Sequence, residues 1–396
     1  MKTIQRTTSA RFGNRFQALV VERRPDHSDC GKVVRRSPWA SNLILDAGMD
    51  NIASRLVCDL FVACAAGSGT TPVADDSGSV TATTSGTTVT SSGAFFLAGD
   101  VGKLLRFDSG EASMIESVEG DTSATLADSL GVSVATAFTM HRVGQTGLTT
   151  EVVRTTDYFS GAAQCGTSRS GAVVTHKRTF AFPIETVSQA YSEVGFSHSA
   201  EAGANLNMRG LFAGAPITVE AGQQLCVIYE VYVTLAPVTP RANTPVISGW
   251  ASTSGTEQLT ALSISYIDSA GATQSYWGAV SEPSAAKYLA ISEDTDALPT
   301  FPSAGTALRS VVADGVAALV GAAYVAGSFS RVWSATFAAA EANSDGIRRL
   351  FLCDGTESGG DYYENGPCFL FTSAQEKLGT HSLSLAWEFT WERDFS

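Results

Sequence analysis

The chain has 396 residues, of which only 16% are charged, and its formal charge is −13. This length suits two or three domains, and a composition rich in Gly, Ala, Ser and Thr favours short strands and polar turns over long surface helices. A chain with this excess of carboxylates is repelled by phosphates, which excludes a protein that coats nucleic acid with its whole surface.

The first 40 residues carry the opposite charge from the rest of the chain. They contain nine Lys and Arg against three acids, a balance of +6, so the remainder sums to −19. Because large apolar residues are few and Pro25 and Pro38 flank a basic loop, residues 1–40 are predicted to form an extended arm outside the folded cores. The arm is expected to dock onto a neighbouring protein through Arg6, Arg11, Arg15, Arg23, Arg24, Arg35 and Arg36. Packaged DNA is the alternative partner for the arm. It is disfavoured because the DNA phosphates would repel the rest of the chain, which is acidic.

Residues 41–67 show the best helical pattern of the N-terminal half. Ser41 or Asp46 is a candidate cap, and glycines at the end of the range terminate the pattern. The apolar positions that recur at three- and four-residue steps are Ile52, Leu56, Leu60 and Phe61.

A glycine- and hydroxyl-rich turn, GSGTTP at 67–72, follows this range. A phosphate loop of the Walker type needs a lysine and a hydroxyl residue directly after its last glycine. Here Gly69 is followed by Thr-Thr-Pro, and no Lys or Arg occurs between Arg55 and Lys103. The stretch is therefore predicted to be a plain turn.

From residue 73 the composition shifts to alternating Thr and Val with small turn residues, and strand-like pieces follow at about ten-residue spacing. Residues 76–146 are therefore predicted to form a small β module. The module interrupts a first domain made of 41–75 and 147–238.

Residues 176–237 and 331–394 repeat one pattern. The span from Phe180 to Leu225 is 45 residues and that from Phe337 to Leu383 is 46, and each half ends in a long alternating strand. These final strands are LCVIYEVYVTL and LSLAWEFTW. The fold predicted is mainly β, with two related antiparallel β-sandwich domains, the second being 239–396. The inserted module, one short N-terminal helix and the basic arm complete it.

Sequence motifs for metal, cofactor or catalytic sites are not found, and none is predicted. The acidic stretches at 291–299 and 359–367 lack the ligand spacing of a calcium loop and are expected to be solvated. Seven scattered cysteines without a C-x₂-C pair indicate buried free thiols. The longest apolar tract, 311–327, contains Asp314 and is too short for a membrane span.

One exposed aromatic pair offers a low-specificity binding hypothesis. Tyr276 and Trp277 follow a turn in a Ser-rich strand, where a receptor glycan could stack on the rings. A core position for the tryptophan is the favoured interpretation, because large aromatic residues commonly fill sheet cores. A glycan depolymerase would need two carboxylates about 5–9.5 Å apart in a groove, and no motif locates such a pair.

Three stretches resemble structural proteins of tailed-bacteriophage virions. They are NLILDAGMDNIAS, GSGTTP and the pieces SEVGF and LFAGAPITVEAGQQLCVIYEVYV, within 42–72 and 185–235. Among virion proteins, the stretches are most similar to the group of tail-appendage and neck-associated proteins. It implies a non-enzymatic homo-oligomer, assembled in the host cytoplasm and located in the virion, that docks onto tail, neck or portal-ring components. The alternatives are a capsid decoration or head-fibre protein and a host-surface glycan-binding or depolymerase protein.

Overall fold

The computed structural model describes the greater part of the chain. The described residues are 7–22, 31–53, 57–159, 164–214, 216–236, 241–243, 254–259, 266–267, 273–274, 288–298, 308–353, 357–358, 361–363 and 367–395. Of these described residues, strands account for 58% and helices for 4%, with a single α-helix. The prediction of a mainly β fold is therefore confirmed.

The N-terminal half combines one short helix with strands of two sheets. Helix α1 spans Asp46–Ile52, and a 3₁₀ turn spans Val57–Phe61. The strands are β1 Thr7–Glu22, β2 Lys32–Arg36, β3 Leu43–Ile44 and β4 Ala63–Gly67.

The next six strands close into a barrel. Its interior is a separate apolar cluster in which Phe96, Phe107 and Phe138 are buried. In chain order, a 3₁₀ turn, Ala98–Asp100, lies between the second and third of these six strands. The strands are β5 Ala74–Ser85, β6 Thr88–Ser91, β7 Leu104–Phe107, β8 Ala112–Gly120, β9 Ser123–Leu126 and β10 Thr136–His141. Around the barrel they follow the order β10-β5-β6-β9-β8-β7.

The remaining strands belong to sheets outside the barrel; we call the part of the protein outside the barrel the body. Up to residue 236 they are β11 Glu151–Thr155, β12 Gly166–Ser170, β13 Val173–Ile184, β14 Gln189–Tyr191, β15 Glu193–Ser197, β16 Met208–Leu211, β17 Ile217–Val219 and β18 Gln223–Ala236. After it they are β19 Arg241–Asn243, β20 Gly255–Leu259, β21 Tyr266–Ile267, β22 Thr273–Gln274, β23 Tyr288–Ser292, β24 Leu308–Ser310, β25 Val316–Ala318, β26 Val320–Gly321, β27 Ser330–Phe337, β28 Ser344–Cys353, β29 Glu357–Ser358, β30 Asp361–Tyr363, β31 Pro367–Lys377 and β32 Leu383–Arg393.

An eight-stranded sheet connects the two halves of the body. Its order is β12-β13-β18-β1-β32-β27-β26, with β2 added beside β1. Strand β1 pairs antiparallel with β18 from Ser9 to Glu22 and parallel with β32 from Thr7 to Phe12. The sheet is therefore continuous only because β1 lies between the two final strands.

The predicted arm is wrong for residues 7–22, which form this interior strand. Phe12 and Phe16 are fully buried, whereas Arg11 and Arg15 on the alternate positions are exposed. A strand that alternates in this way places its apolar side chains in the core and leaves its arginines in water. The charge that indicated an arm belongs to the solvent face of a core strand.

A five-stranded sheet, β11-β4-β15-β16-β3, packs against the inner side of the first half of this sheet. The shared core contains Phe180 and Tyr229 from one sheet and Phe196 and Met208 from the other. The rings of Phe196 and Tyr229 stack with centroids 3.7 Å apart. Burial of these large side chains is the main stabilising contribution of the first half.

A second core lies under β27 and β32. There Trp333 and Trp387 pack with Leu350 and Phe369 of the sheet β19-β20-β31-β28-β23-β25. The two final alternating strands, β18 and β32, are interior strands, and they lie in one shared sheet and not in two separate ones. Pairing of β1 with both β18 and β32 is the physical reason.

The helix predicted within 41–67 is confirmed only as the short α1. Residues 63–67 are instead β4, which is fully buried between β11 and β15. A Cβ at Gly48 would lie 2.2 Å from the Asn207 carbonyl oxygen, so the helix approaches the sheet backbone closely. Sheet pairing of the small residues after position 62 overrides the helical periodicity.

The barrel joins the body at two adjacent points of the backbone. The Arg142 amide donates to the Val73 carbonyl over 2.9 Å. Asp75 accepts from Lys103 and Arg142, each at 2.8 Å. Phe395, after the last strand, packs on His141 with ring centroids 4.5 Å apart. The barrel is thus held on the body by the Arg142–Asp75 ion pair, by Phe395 and by apolar contacts, since its Leu104 and Met114 pack against the cluster that contains Leu45 and Val143.

Excising the barrel should leave a body that still unfolds cooperatively. Replacement of 74–141 by a short Gly-Ser linker reconnects Val73 and Arg142, whose backbones are already hydrogen-bonded, so little closure entropy is added. Thermal unfolding followed by circular dichroism checks this. As a control, extending the excision to 150 should prevent folding, because it removes partners of the buried ion pair described below. A body without a cooperative transition after the shorter excision would contradict separability.

Within the described ranges, no helix has the length and apolar character needed to cross a membrane.

Candidate functional site

The outer side of the eight-stranded sheet is a candidate interaction surface. Antiparallel sheets commonly bury one face and leave the other to water, and here Phe12 and Phe16 define the buried side. Arg36 pairs with Leu19, which places both side chains on the same side as Arg15. We call this surface the outer face; its described members include Arg11, Arg15, Arg36, Trp39, Lys177, Glu230, Tyr232, Glu388 and Glu392.

Arg15 is held by three neighbours on this face. Its Nε donates to Glu230 Oε2 over 2.7 Å, and the Tyr232 hydroxyl donates to the same oxygen over 2.7 Å. The guanidinium carbon lies 4.4 Å from the ring centroid of Trp39 and 5.4 Å from that of Tyr232. A planar cation between two rings gains a cation–π contribution and loses little rotamer freedom on binding a partner.

The carboxylate of Glu230 sets the electrostatics of this group. Burial alone would lower the pKa of Arg15, but the hydrogen bond and charge of Glu230 raise it overall. Burial, followed by the hydrogen bond to Glu230, raises the pKa of Tyr232. Arg15 therefore stays cationic and Tyr232 stays a neutral donor across the physiological pH range.

The other charges of the outer face also alternate in sign across the strands. Lys177 lies directly opposite Glu230, on the side away from Arg15. Arg11 pairs with Glu392, and both side chains are more than half exposed, at 63% and 57%. Such exposed pairs contribute little stability, so their charges remain free to reorient toward a partner.

The predicted docking arginines are only partly gathered on this surface. Arg11, Arg15 and Arg36 lie on the outer face, whereas Arg35 donates to the Thr218 carbonyl over 3.0 Å. The remaining predicted contacts lie outside the described residues, and they are Arg6, Arg23, Arg24, Tyr276 and Trp277. Sequence reasoning missed Trp39, Glu230 and Tyr232. The alternation of β18 contains the signal for the last two, since they occupy the positions opposite to the apolar face.

A buried ion pair lies inside the five-stranded sheet. Glu193 on β15 and Arg209 on β16 are both fully buried, with Arg209 Nη2 2.7 Å from Glu193 Oε2. The guanidinium also donates to Gln145 Oε1 over 2.8 Å and to the Thr71 carbonyl over 2.8 Å. The pair thus connects two strands with the two segments that lead into and out of the barrel.

The glycine-rich turn binds an anion, and that anion is the side chain of Glu193. Its carboxylate accepts backbone N–H groups of Gly69 (3.1 Å), Thr149 (3.1 Å) and Thr150 (2.8 Å). Backbone donors around a carboxylate supply the compensation that a buried charge requires. The turn at 67–72 contributes one of these three donors, and together with residues 149–150 it forms a structural clasp on an internal carboxylate.

Substituting Gly69 with alanine should destabilise the protein by about 1–3 kcal/mol. The added Cβ would lie 2.3 Å from Glu193 Oε1 and 2.5 Å from Thr149 Cβ, and neither can move without losing the clasp. Urea unfolding measures the change. Gly131→Ala is the matched control, because a Cβ there meets no atom within 4 Å. Equal unfolding midpoints for the two variants would contradict the clasp.

Two further ionisable groups have structural roles. Burial, and then the charge of Arg178, lowers the pKa of His176 to about 3, so this imidazole is neutral at physiological pH. Asp294, predicted to be solvated, instead accepts from Arg309 over 2.9 Å in a half-buried position. Among the described residues, no group of three or more His, Cys, Asp or Glu is arranged to bind a metal ion.

Comparison with protein-family models finds none that matches the chain, and comparisons with curated proteins and with solved structures find no match either. The class of protein is therefore inferred from the residues and surfaces of the chain itself.

Proposed function

We propose that this protein is a structural component of a tailed-bacteriophage virion, in the tail, the neck or the fibre-attachment region. It acts by oligomeric assembly and by docking onto other virion proteins. The observation that carries this proposal is the outer face, where an arginine fixed between two aromatic rings stands on a rigid sheet. The resemblance of residues 42–72 and 185–235 to virion proteins supplies the biological setting.

The chemistry of the outer face favours a protein partner. Trp, Tyr and Arg are the residue types that contribute most to protein interfaces, and the outer face presents all three around Glu230. Trp39 is 39% exposed, so its ring has area left to bury against a partner. Because Arg15 and Tyr232 are already ordered by hydrogen bonds, binding loses little side-chain entropy.

The architecture supports the same proposal. Two apolar cores, one under β18 and one under β32, support the interpretation of two related sandwiches that share β1. Two fully buried charges, Glu193 and Arg209, are compensated within the chain and stabilise the junction with the barrel. Such a rigid multi-core body suits a virion subunit whose work is done by its surfaces.

Localisation in particles tests the proposal. Antibodies raised against the purified chain should label virions of the phage that encodes it, at the tail or neck, in negatively stained images. Label on the head surface would instead indicate a decoration or head-fibre protein. Virions that carry no label, and in which mass spectrometry finds no peptide of the chain, would overturn the proposal.

A surface variant tests the outer face itself. Trp39→Ala should reduce incorporation of a tagged copy into virions by about tenfold or more, since interface tryptophans commonly contribute 2 kcal/mol or more. Val325→Ser is the matched control, because Val325 is 68% exposed in the second half of the chain. Equal incorporation of both variants would show that virion docking uses another surface.

A further inference from the structure

The segment 393–395 touches both the body and the barrel, and we call it the latch. On the body side, the Arg393 guanidinium donates to the Ile44 carbonyl over 2.7 Å. The Asp394 amide donates to the Phe12 carbonyl over 2.8 Å. These bonds reach β3 and β1, so the latch is fixed to the body at two places.

On the barrel side, the latch contributes one aromatic ring. Phe395 packs on His141 with ring centroids 4.5 Å apart, and the Arg106 guanidinium carbon lies 5.1 Å from the Phe395 centroid. Strand pairing places His141 opposite Leu104 and Leu104 opposite Met114, so these side chains share the outward side of the barrel wall. Leu104, Met114 and Phe395 pack against the same apolar cluster. The barrel therefore presents to the latch a patch that combines apolar side chains with one guanidinium and one imidazole.

The imidazole of His141 is surrounded by groups that disfavour its protonation. Burial, then the charge of Arg106 and then that of Arg393, lowers the pKa of His141 to about 4. The nearby carboxylates of Asp46 and Asp75 are already ion-paired, with Arg393 and with Arg142 and Lys103 respectively. The charged groups on the elements around the imidazole are Asp75 and Asp76 on β5, Lys103 and Arg106 at β7, Arg142 after β10, Asp46 on α1, and Arg393 and Asp394 in the latch.

We propose that the latch is acid-sensitive: it holds the barrel on the body while His141 is neutral, and its hold weakens when the imidazole is protonated. In a barrel that has left the latch, the imidazole is hydrated and its pKa returns toward the ordinary value of about 6.5. The released barrel therefore binds the proton more readily than the docked one. Docking is at full strength above about pH 6.5 and weakens as the pH falls from there toward the pKa of the docked imidazole. At about pH 5 the expected weakening is about tenfold, which allows for the partial exposure of the ring.

The connections of the barrel allow it to move without unfolding. Val73 and Arg142 flank the barrel and are hydrogen-bonded to each other, so the barrel can turn about one point of the backbone. Turning away from the latch uncovers Phe395, Leu104 and Met114, which pack on the body when the barrel is docked. Acid would thus expose an apolar contact surface that is covered at neutral pH. The inference does not rest on the proposed function, because the latch and the barrel belong to one chain.

NMR titration of the full-length protein with isotopically labelled histidine tests the latch. The His141 resonance is assigned by its loss in His141→Gln. In the wild type the imidazole should be only about one tenth protonated at about pH 5, whereas in Phe395→Ala it should be about half protonated or more. Because linkage is reciprocal, a latch residue that lowers the proton affinity of His141 is itself released by protonation, by the same factor. Val325→Ser is the matched control, since Val325 is 68% exposed, and it should titrate like the wild type.

Oxidation of methionines by dilute hydrogen peroxide measures the release itself. Met114 lies in the covered patch, whereas Met140 is buried inside the barrel and is only 2% exposed. Lowering the pH from about 7.5 to about 5 should speed sulfoxide formation at Met114 several-fold in the wild type and leave Met140 unchanged. In His141→Gln, whose side chain cannot be protonated in this range, Met114 should be oxidised at the same rate at both pH values.

Four outcomes would overturn the inference. A wild-type His141 that is more than half protonated at about pH 5 would do so, as would a Phe395→Ala variant that titrates like the wild type. An equal acid response of Met114 in His141→Gln would show that acid acts through another group. Faster oxidation of Met140 together with Met114 would show that the barrel unfolds and does not simply leave the latch.

Discussion

Replacing Arg209 with methionine should lower the free energy of unfolding by about 3–5 kcal/mol, the usual effect of removing one partner of a buried ion pair. The fully buried carboxylate of Glu193 would keep its backbone donors but lose the guanidinium 2.7 Å away. The Gln145 side chain and the Thr71 carbonyl would also lose their donor. Urea unfolding monitored by tryptophan fluorescence measures the change.

An exposed ion pair provides the control for this substitution. Arg11→Met breaks the pair with Glu392 in water and should change stability by less than about 1 kcal/mol. The double variant Glu193→Leu, Arg209→Met should recover part of the loss, because no unpaired charge remains in the core. Arg209→Met with the same midpoint as Arg11→Met would show that the buried pair contributes nothing.

Deleting residues 1–36 should abolish cooperative folding. The sequence alone predicts the opposite, a folded body that has lost only a docking arm. In the structure the deletion removes β1. Strand β18 then loses its pairing partner at 14 positions, and β32 loses its parallel neighbour. Both strands would expose hydrogen-bonding edges over an opened core. Circular dichroism and the soluble yield of the truncated chain decide between the two expectations.

A point substitution tests the same strand without removing it. Phe16→Ala should cost about 3–5 kcal/mol, because the ring is fully buried, with its centroid 5.6 Å from that of Phe212. Gln17→Ala, on the next position and the opposite side of the strand, should have a small effect. A folded truncated chain together with a neutral Phe16→Ala would mean that β1 is dispensable.

The sequence predicts strands well where alternation is strong. In β18 and β32 the inward positions hold large residues such as Tyr229 and Trp387, and both are buried. In β1 the inward positions also include Ala10, Asn14 and Ala18, which weakens the pattern. The neighbouring arginines then dominate the interpretation, and a core strand is mistaken for an arm.

The candidate site could be predicted only in part. Charge alone selects Arg11 and Arg15, but the carboxylate that orders Arg15 is 215 residues away, and strand pairing over that distance cannot be read from one sequence. The buried pair had a local signal, since Glu193 and Arg209 are only 16 residues apart and each is a lone charge in a short apolar strand. A charge at such a position needs a partner nearby.

The central position of β1 has a consequence for biosynthesis. Arg11 meets Glu392 across 381 residues of chain, which a ribosome adds in roughly 20–75 s at 5–20 residues per second. During that interval β18 becomes available first, so β1 can be paired on one edge while its other edge waits for β32. Two nascent chains on one messenger RNA would then present matching open edges to each other. Slow translation of the second half should therefore increase misassembled protein, and chaperone binding should be concentrated in this window.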